Sequence, residues 1–371
     1  MHVGRHLASA RRRWRSSHAL AAIPLGLIVA ITLADIRVPQ DVHLGPLLVV
    51  APALTTSFAG PRLTGAVGAL AVAAQVLIAV LHGGLTTTNH IAQICALTIL
   101  SVFLVVVCSV RERRALELAQ VRSVAEAAQR ALLRPLPHRL GHLHIASVYL
   151  AAEKEARIGG DLYAVTRAAG STRVIIADVR GKGLGAIGEA ATLLGAFREA
   201  SQHYAALPDL ADALDRSMAR HLAQLHETDE QAQEQFVTAL LLELPDRSAT
   251  AQVAHAGHPP PLLIRHGRVT PIDSPHPAPP LGMGELVPGG HDARAFTFAA
   301  GDTLLLYTDG VIEARDGDDA FYPLAERVAQ WGRCGPEALV QRIRRDLLAH
   351  ADGTLGDDAA VVAIHRTSGH V

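Results

Sequence analysis

Val174-Ile175-Ile176-Ala177-Asp178-Val179-Arg180-Gly181-Lys182-Gly183 is the stretch on which the reading of this chain turns. Its apolar, mostly β-branched opening reads as a buried strand. Asp178 ends the run, and two glycines open a loop ahead of a helix-forming segment. The same order of apolar run, aspartate and glycine recurs at Leu304-Leu305-Leu306-Tyr307-Thr308-Asp309-Gly310. Asp357 and Asp358 directly precede a further apolar run, and Asp161 follows Gly159-Gly160, read as lying just past a strand. One aspartate at a strand end is ordinarily a turn or capping residue. Several of them, flanked by glycine, can converge on one edge of a sandwich, and hard cations such as Mg²⁺ or Mn²⁺ need that kind of oxygen-rich site.

Working outward, strands are expected over His144–Ala151, Arg173–Ala177, Phe236–Leu244, Ala249–Ala254 and Pro261–Arg265. Arg294–Phe298, Thr303–Tyr307 and Ala360–His365 continue the series, and helices are expected over Leu184–Ala200, Leu207–Leu225 and Glu337–Ala349. Many strands with helix pairs set between them indicate an α+β sandwich and not a doubly wound parallel sheet. The acidic stretch Glu227–Gln235 and the proline-rich Pro271–Pro288 read as exposed loops near the rim of the site.

Taken in order, Gly159-Gly160-Asp161, Asp178-Val179-Arg180-Gly181-Lys182-Gly183, Ala256-Gly257-His258-Pro259-Pro260, Tyr307-Thr308-Asp309-Gly310 and Asp357-Asp358 resemble the SpoIIE-type branch of the PP2C (PPM) phosphatases over roughly Leu143 to Arg366. The resemblance implies a PP2C-like β-sandwich flanked by helices, with two divalent metal ions, Mn²⁺ or Mg²⁺, at one end of the sheets. Carried over by position, Asp178 bridges both ions and the Val179 carbonyl helps to bind one. Asp309 and Asp357 complete the other, and Asp161 acts directly or through water. Paired cations acidify a water between them and clamp phosphoryl oxygens for in-line attack, so no Cys or Ser nucleophile is required. Asp178 and Asp309 are thus the carboxylates on which catalysis depends, while Asp358 reads as a supporting or turn residue.

The chain departs from the family pattern at Ala164, where a second aspartate is common, and at Arg180, where serine is frequent. No histidine stands shortly after Asp178, so the motif names no proton donor for the leaving group. Arg157, Arg180 and Lys182 are candidates to hold substrate phosphate, because Arg grips phosphate through two N–H groups and Lys offers a point charge. Solvated surface arginines are the competing reading of the first two. His258 reads as a strand-end histidine bonded to backbone.

The first third of the chain differs in kind. Ala19–Ala34, Val42–Ala59, Leu63–Leu81 and Ile91–Val110 are uncharged apolar runs near the length that spans a bilayer. Arg11, Arg12, Arg13 and Arg15 precede the first, and Arg111, Arg113 and Arg114 follow the last. Loops rich in arginine stay cytoplasmic, so an even number of spans puts both clusters and the turn at Arg62 inside. No Asp, Glu, Lys or Arg lies within these runs to mark a transport path. His43, His82 and His90 read as solvated helix-end residues.

From Arg111 to Leu133 there is neither Gly nor Pro, and Leu118, Val121, Ala125, Ala128 and Leu132 step by three and four. The spacing suits either a homodimer through this linker helix or its packing on its own catalytic domain. The expected organisation is a membrane domain over 1–110 with four transmembrane helices, a helical signalling linker over 111–135 and a phosphatase domain over 136–371.

The near-balance of 34 basic and 35 acidic residues argues against a nucleic-acid partner. The family resemblance implies hydrolysis of phosphoserine or phosphothreonine on a cytoplasmic protein, with a STAS-type anti-sigma factor antagonist as the suggested substrate. The alternatives are a non-enzymatic membrane receptor with a degenerate phosphatase fold, against which Asp161, Asp178, Asp309 and Asp357 count, and a transporter with a regulatory tail.

Overall fold

In the computed structural model, which describes residues 20, 22–37, 44–81, 88–152, 160–181, 184–226, 235–284, 290–331 and 334–368, the apolar runs form two antiparallel sheets. The chain divides into two units, Met1–Ala119 and Gln120–Val371, and the sheets belong to the second. One sheet comprises β1 (Arg139–Leu140), β2 (Leu143–Leu150), β7 (Leu262–Arg265), β8 (Arg268–Pro271), β10 (Thr303–Tyr307) and β11 (Ala359–Arg366), in the order β1-β2-β11-β10-β7-β8. The other comprises β3 (Leu162–Ala168), β4 (Ser171–Val179), β5 (Val237–Pro245), β6 (Thr250–Ala256) and β9 (Ala293–Thr297), in that order.

Both faces of each sheet are covered, which is why these strands read as unbroken apolar runs and not as alternating ones. In β4, Val174 and Ile176 meet Leu304, Leu306, Val362 and Ile364 of the opposite sheet in a dry inner layer. Ile175, Ala177 and Val179 face the other way, onto α5 (Leu184–His203) and α6 (Leu207–His226) through Leu193, Phe197, Leu210 and Leu214. On the far side, Leu305, Val361 and Ala363 pack under α8 (Leu324–Trp331) and α9 (Pro336–His350). Side chains that alternate across a strand at period two build these layers. The α+β sandwich is therefore as expected.

Three local expectations change. β3 begins at Leu162, so Asp161 opens a strand instead of following one; the strand forms because all seven of its residues pair with β4. Part of the proline-rich segment is packed, with Leu281 fully buried and exchanging backbone hydrogen bonds with Val237. The short β8 and α8 also lay outside the sequence reading. Residues 227–234 and 285–289 lie outside the described residues.

In the first unit, α3 (Pro61–Leu81) and the Thr88–Gln120 part of α4 (Thr88–Leu132) are long and apolar enough to cross a membrane. The second expected span is a helical stretch over Gly45–Thr55, interrupted by turn geometry from Thr56 and shorter than a crossing requires. Helix α1 covers 22–37, within the first expected span and beyond it through Asp35, which is buried and accepts a hydrogen bond from the Leu44 N–H at 2.5 Å. His90 is buried, not solvated, while His43 and His82 lie outside the described residues.

Helix α4 runs unbroken for 45 residues, about 67 Å at 1.5 Å per residue. Of the heptad positions, Leu118 is exposed in the first unit. Leu132 instead packs with Leu133 against the core beneath α5 and α6, so the end of this helix packs on the second unit, to which it belongs.

Candidate metal centre

Antiparallel pairing places the start of one strand beside the end of its neighbour. Leu162 pairs with Ala177, which sets Asp161 next to Asp178, and Tyr307 pairs with Val361, which sets Asp309 near the 357–358 turn. All these carboxylates therefore reach one end of the sandwich. Ligand oxygens of Asp161, Asp178 and Asp309 lie within 4.8 Å of one another.

Glycines permit the close approaches. A Cβ on Gly160 would sit 2.2 Å from the Val179 carbonyl oxygen, and one on Gly310 would sit 1.9 Å from the Asp358 carbonyl oxygen. No side chain fits at either position, so the aspartates beside them can stand against the neighbouring main chain. Thr308, fully buried, links the two sheets at this point. Its hydroxyl donates to Asp161 Oδ2 at 2.7 Å and accepts from the Ala360 N–H at 2.9 Å. Behind it, His258 Nε2 donates to the Tyr307 carbonyl at 3.1 Å and Nδ1 accepts from the Thr238 hydroxyl at 3.0 Å. Burial lowers the His258 pKa to about 3, so the ring is neutral and acts as a strut, in line with its reading as a backbone-bonded histidine.

The carboxylates repel one another. Burial and then the Asp178 carboxylate push the Asp161 carboxyl well above its ordinary range, against the lowering effect of the Thr308 hydrogen bond. Burial and then Asp309 raise Asp178 to about 7. Burial, with Asp357 as a weaker contributor, raises Asp309, and a hydrogen bond from the Gly310 N–H partly offsets this. Like charges gathered in a partly dry site are relieved by a cation. The donors are oxygens only, which suits Mg²⁺ or Mn²⁺ and not a zinc site of thiolates and imidazoles.

Asp357 acts electrostatically on Asp178 and Asp309 but stands outside the three-carboxylate group, exposed, with one oxygen accepting from the Asp358 N–H at 3.0 Å. Asp358 is buried; its side chain accepts from the Tyr149 hydroxyl at 2.5 Å and the Ala152 N–H at 2.6 Å. Burial, then Asp358 and Asp161, push the Tyr149 hydroxyl far above its ordinary value, so it stays a donor. Arg180 is exposed, with its guanidinium 5.0 Å from the centre of the Phe236 ring. Arg157 and Lys182 lie outside the described residues. Ala164 is buried in the layer facing α5 and α6, where an alanine packs without needing a polar partner. Thr308 and Tyr149 carried no role in the sequence reading; Thr308 stood inside a quoted motif, which was the available signal.

The family model described as Stage II sporulation protein E (SpoIIE) matches residues 168–367, taking in Asp178, Asp309 and Asp357 but beginning after Asp161. The chain is similar in fold to the SiaA-PP2C domain of Pseudomonas aeruginosa, with a TM-score of 0.53 and 16% identity over 70% of this chain and 99% of that one. The RsbU and RsbW domains of Rv1364c from Mycobacterium tuberculosis are 26% identical over 62% of this chain, with a TM-score of 0.49, and the match spans only 61% of that protein. The PP2C domain, with a fragment of the regulatory domain, of SpoIIE from Bacillus subtilis is 16% identical over 62% of this chain and 65% of that one, with a TM-score of 0.48. Because the family match takes in more than half of its residues, the chain belongs to the SpoIIE family of PP2C-type serine/threonine phosphatases.

Proposed function

We propose that the chain is a membrane-anchored phosphatase that removes phosphate from phosphoserine or phosphothreonine of a cytoplasmic regulatory protein. A STAS-type anti-sigma factor antagonist is the substrate class suggested by the family resemblance. The observation that carries the reading is the meeting of Asp161, Asp178 and Asp309 within 4.8 Å at one end of the sandwich. Asp161, Asp178 and Asp309, with the Val179 carbonyl and Asp357, would hold two Mn²⁺ or Mg²⁺ ions. When bound, such ions neutralise phosphoryl charge and acidify water. The chain's own contribution is placement: Thr308 fixes the Asp161 carboxylate, and Gly160 and Gly310 let two main-chain carbonyls close in. Arg157 and Lys182 are assigned to the substrate phosphate.

The organisation proposed is a membrane region over 1–110, a linker over 111–135 and a phosphatase domain over 136–371. Contacts inside the first unit support cytoplasmic placement of the basic clusters. Arg111 Nη2 donates to the Thr56 carbonyl at 2.5 Å and Cys108 Sγ to the Ala59 carbonyl at 3.3 Å, so the turn leading to Arg62 and the cluster after the last span share one level. The exposed Leu118, first of the linker's heptad positions, supports a homodimer through the linker.

The test is Mn²⁺-dependent hydrolysis of an aryl phosphate by the full chain. Asp178→Asn and Asp309→Asn are expected to lower turnover at least about 100-fold with little change in thermal unfolding. Turnover that survives EDTA, or near-normal rates in Asp178→Asn, would overturn the reading.

A further inference from the structure

Three side chains connect the last turns of α4 to the acidic end of the sandwich. Gln129 Nε2 donates to the Tyr149 hydroxyl oxygen at 2.5 Å, and the Tyr149 hydroxyl donates to Asp358 Oδ2 at 2.5 Å. The other oxygen of Asp358 accepts from the Ala152 N–H at 2.6 Å, so both are held. The main chain of the same residue is equally constrained: its carbonyl lies on Gly310, beside Asp309, and its N–H donates to the Asp357 carboxylate at 3.0 Å. Asp358 is 4% exposed, so water cannot replace a lost partner without rearrangement. Leu132 and Leu133, one turn beyond Gln129, pack on the core under α5 and α6 and fix where the helix end stands. The donors run in one direction, amide to hydroxyl to carboxylate, an order in which each bond polarises the next.

We propose that Tyr149 is a positioning residue of the metal centre and that Gln129 sets it. Tyr149 holds Asp358, Asp358 holds the 357–358 turn against Gly310, and that turn presents Asp357 toward Asp178 and Asp309. The last turns of α4 thereby govern how tightly the carboxylates hold a divalent cation. This rests on the cation reading of the site given above.

Partners that orient metal-binding groups commonly change metal affinity by 10- to 100-fold when removed. Calorimetric titration of Mn²⁺ into the metal-stripped full chain in detergent micelles reads the effect without relying on turnover. Tyr149→Phe, which removes only the hydroxyl, is expected to weaken Mn²⁺ binding about tenfold. Gln129→Leu is expected to weaken it by a smaller factor in the Tyr149 protein and to change nothing in the Tyr149→Phe protein, since a residue acting through the hydroxyl has no route once it is gone. A merely structural role for Gln129 would give the same loss in both backgrounds. Unchanged Mn²⁺ affinity in Tyr149→Phe, or equal effects of Gln129→Leu in the two backgrounds, overturns the proposal while leaving the cation site standing. Absence of Mn²⁺ binding by the unmodified chain overturns both. Should Tyr149→Phe fail to fold, Gln129→Leu alone decides, and unchanged affinity there is a negative result.

Discussion

Glu189 shows how a single buried carboxyl sets a pH dependence away from the metal centre. It lies on the inward face of α5 with Ala186, Ala190 and Leu193, 1% exposed, and its Oε2 has no hydrogen-bond partner among the described residues. Burial raises its pKa from 4.5 to about 7. Below pH 4.5 the carboxyl is protonated folded or unfolded and costs nothing. Between 4.5 and 7 the unfolded chain releases a proton that the folded one keeps, so stability falls as pH rises, and the loss is complete above 7. Glu189→Gln, which imitates the protonated form, is expected to stabilise the protein by roughly 2–3 kcal/mol at pH 8 and by little at pH 4. Thermal unfolding at the two pH values checks this, and an equal shift at both would refute it. Asp178 and Asp309 were legible in the sequence because an aspartate ending an apolar run contradicts its surroundings. Thr308, Tyr149 and Glu189 were not, because a polar residue in or beside an element reveals its role only once register and packing say what it faces.

At the scale of elements, the strands with unbroken apolar runs, β4, β5, β10 and β11, were found near their true bounds because burial on both faces leaves a dense signal. β3 was missed because Leu162-Tyr163-Ala164-Val165-Thr166-Arg167-Ala168 is weak by propensity and gains its structure from pairing with β4. α8 was missed because its buried face consists of little more than Leu324 and Val328, a single i,i+4 step. The linker was seen as a helix, with two partners left open, a second chain or its own catalytic domain. Periodicity marks an apolar stripe and is silent on whether a second chain or the same one covers it. Replacing 121–128 in α4 with Gly and Ser at equal length removes the stiffness that passes displacement along. The altered full chain is expected to keep its metal dependence and to lose any response of its rate to lipid composition. Identical rates for both proteins in every lipid tested would make the helix a tether only.

For the molecule as a whole, the proposed topology, argued from the arginine clusters, has the linker on the cytoplasmic side. A reporter active only in the periplasm should therefore work when fused after Leu85 and stay silent when fused after Arg114. The reverse would remove the catalytic domain from cytoplasmic substrates. Composition made the two-part plan visible, since charged residues are absent from the four apolar runs before Arg111 and frequent after it. It did not separate a full crossing from the shorter helix over Gly45–Thr55, because both are equally apolar and differ only in where Gly45, Pro46 and the turn from Thr56 interrupt them.

The seating of Leu132 and Leu133 on the catalytic core bears on where this protein can be cut. A fragment released by cleavage just before residue 136 would leave behind two half-buried leucines that pack on its core, and Gln129 with them. Voids of that kind typically weaken a domain by roughly 2–5 kcal/mol per leucine, less where the side chain is half-buried. If the first unit is anchored as proposed, a protease acting before Gln120 would instead free a phosphatase that keeps both leucines and Gln129. Under the proposed anchoring, release and inactivation are thus separate fates, decided by about four helical turns of α4.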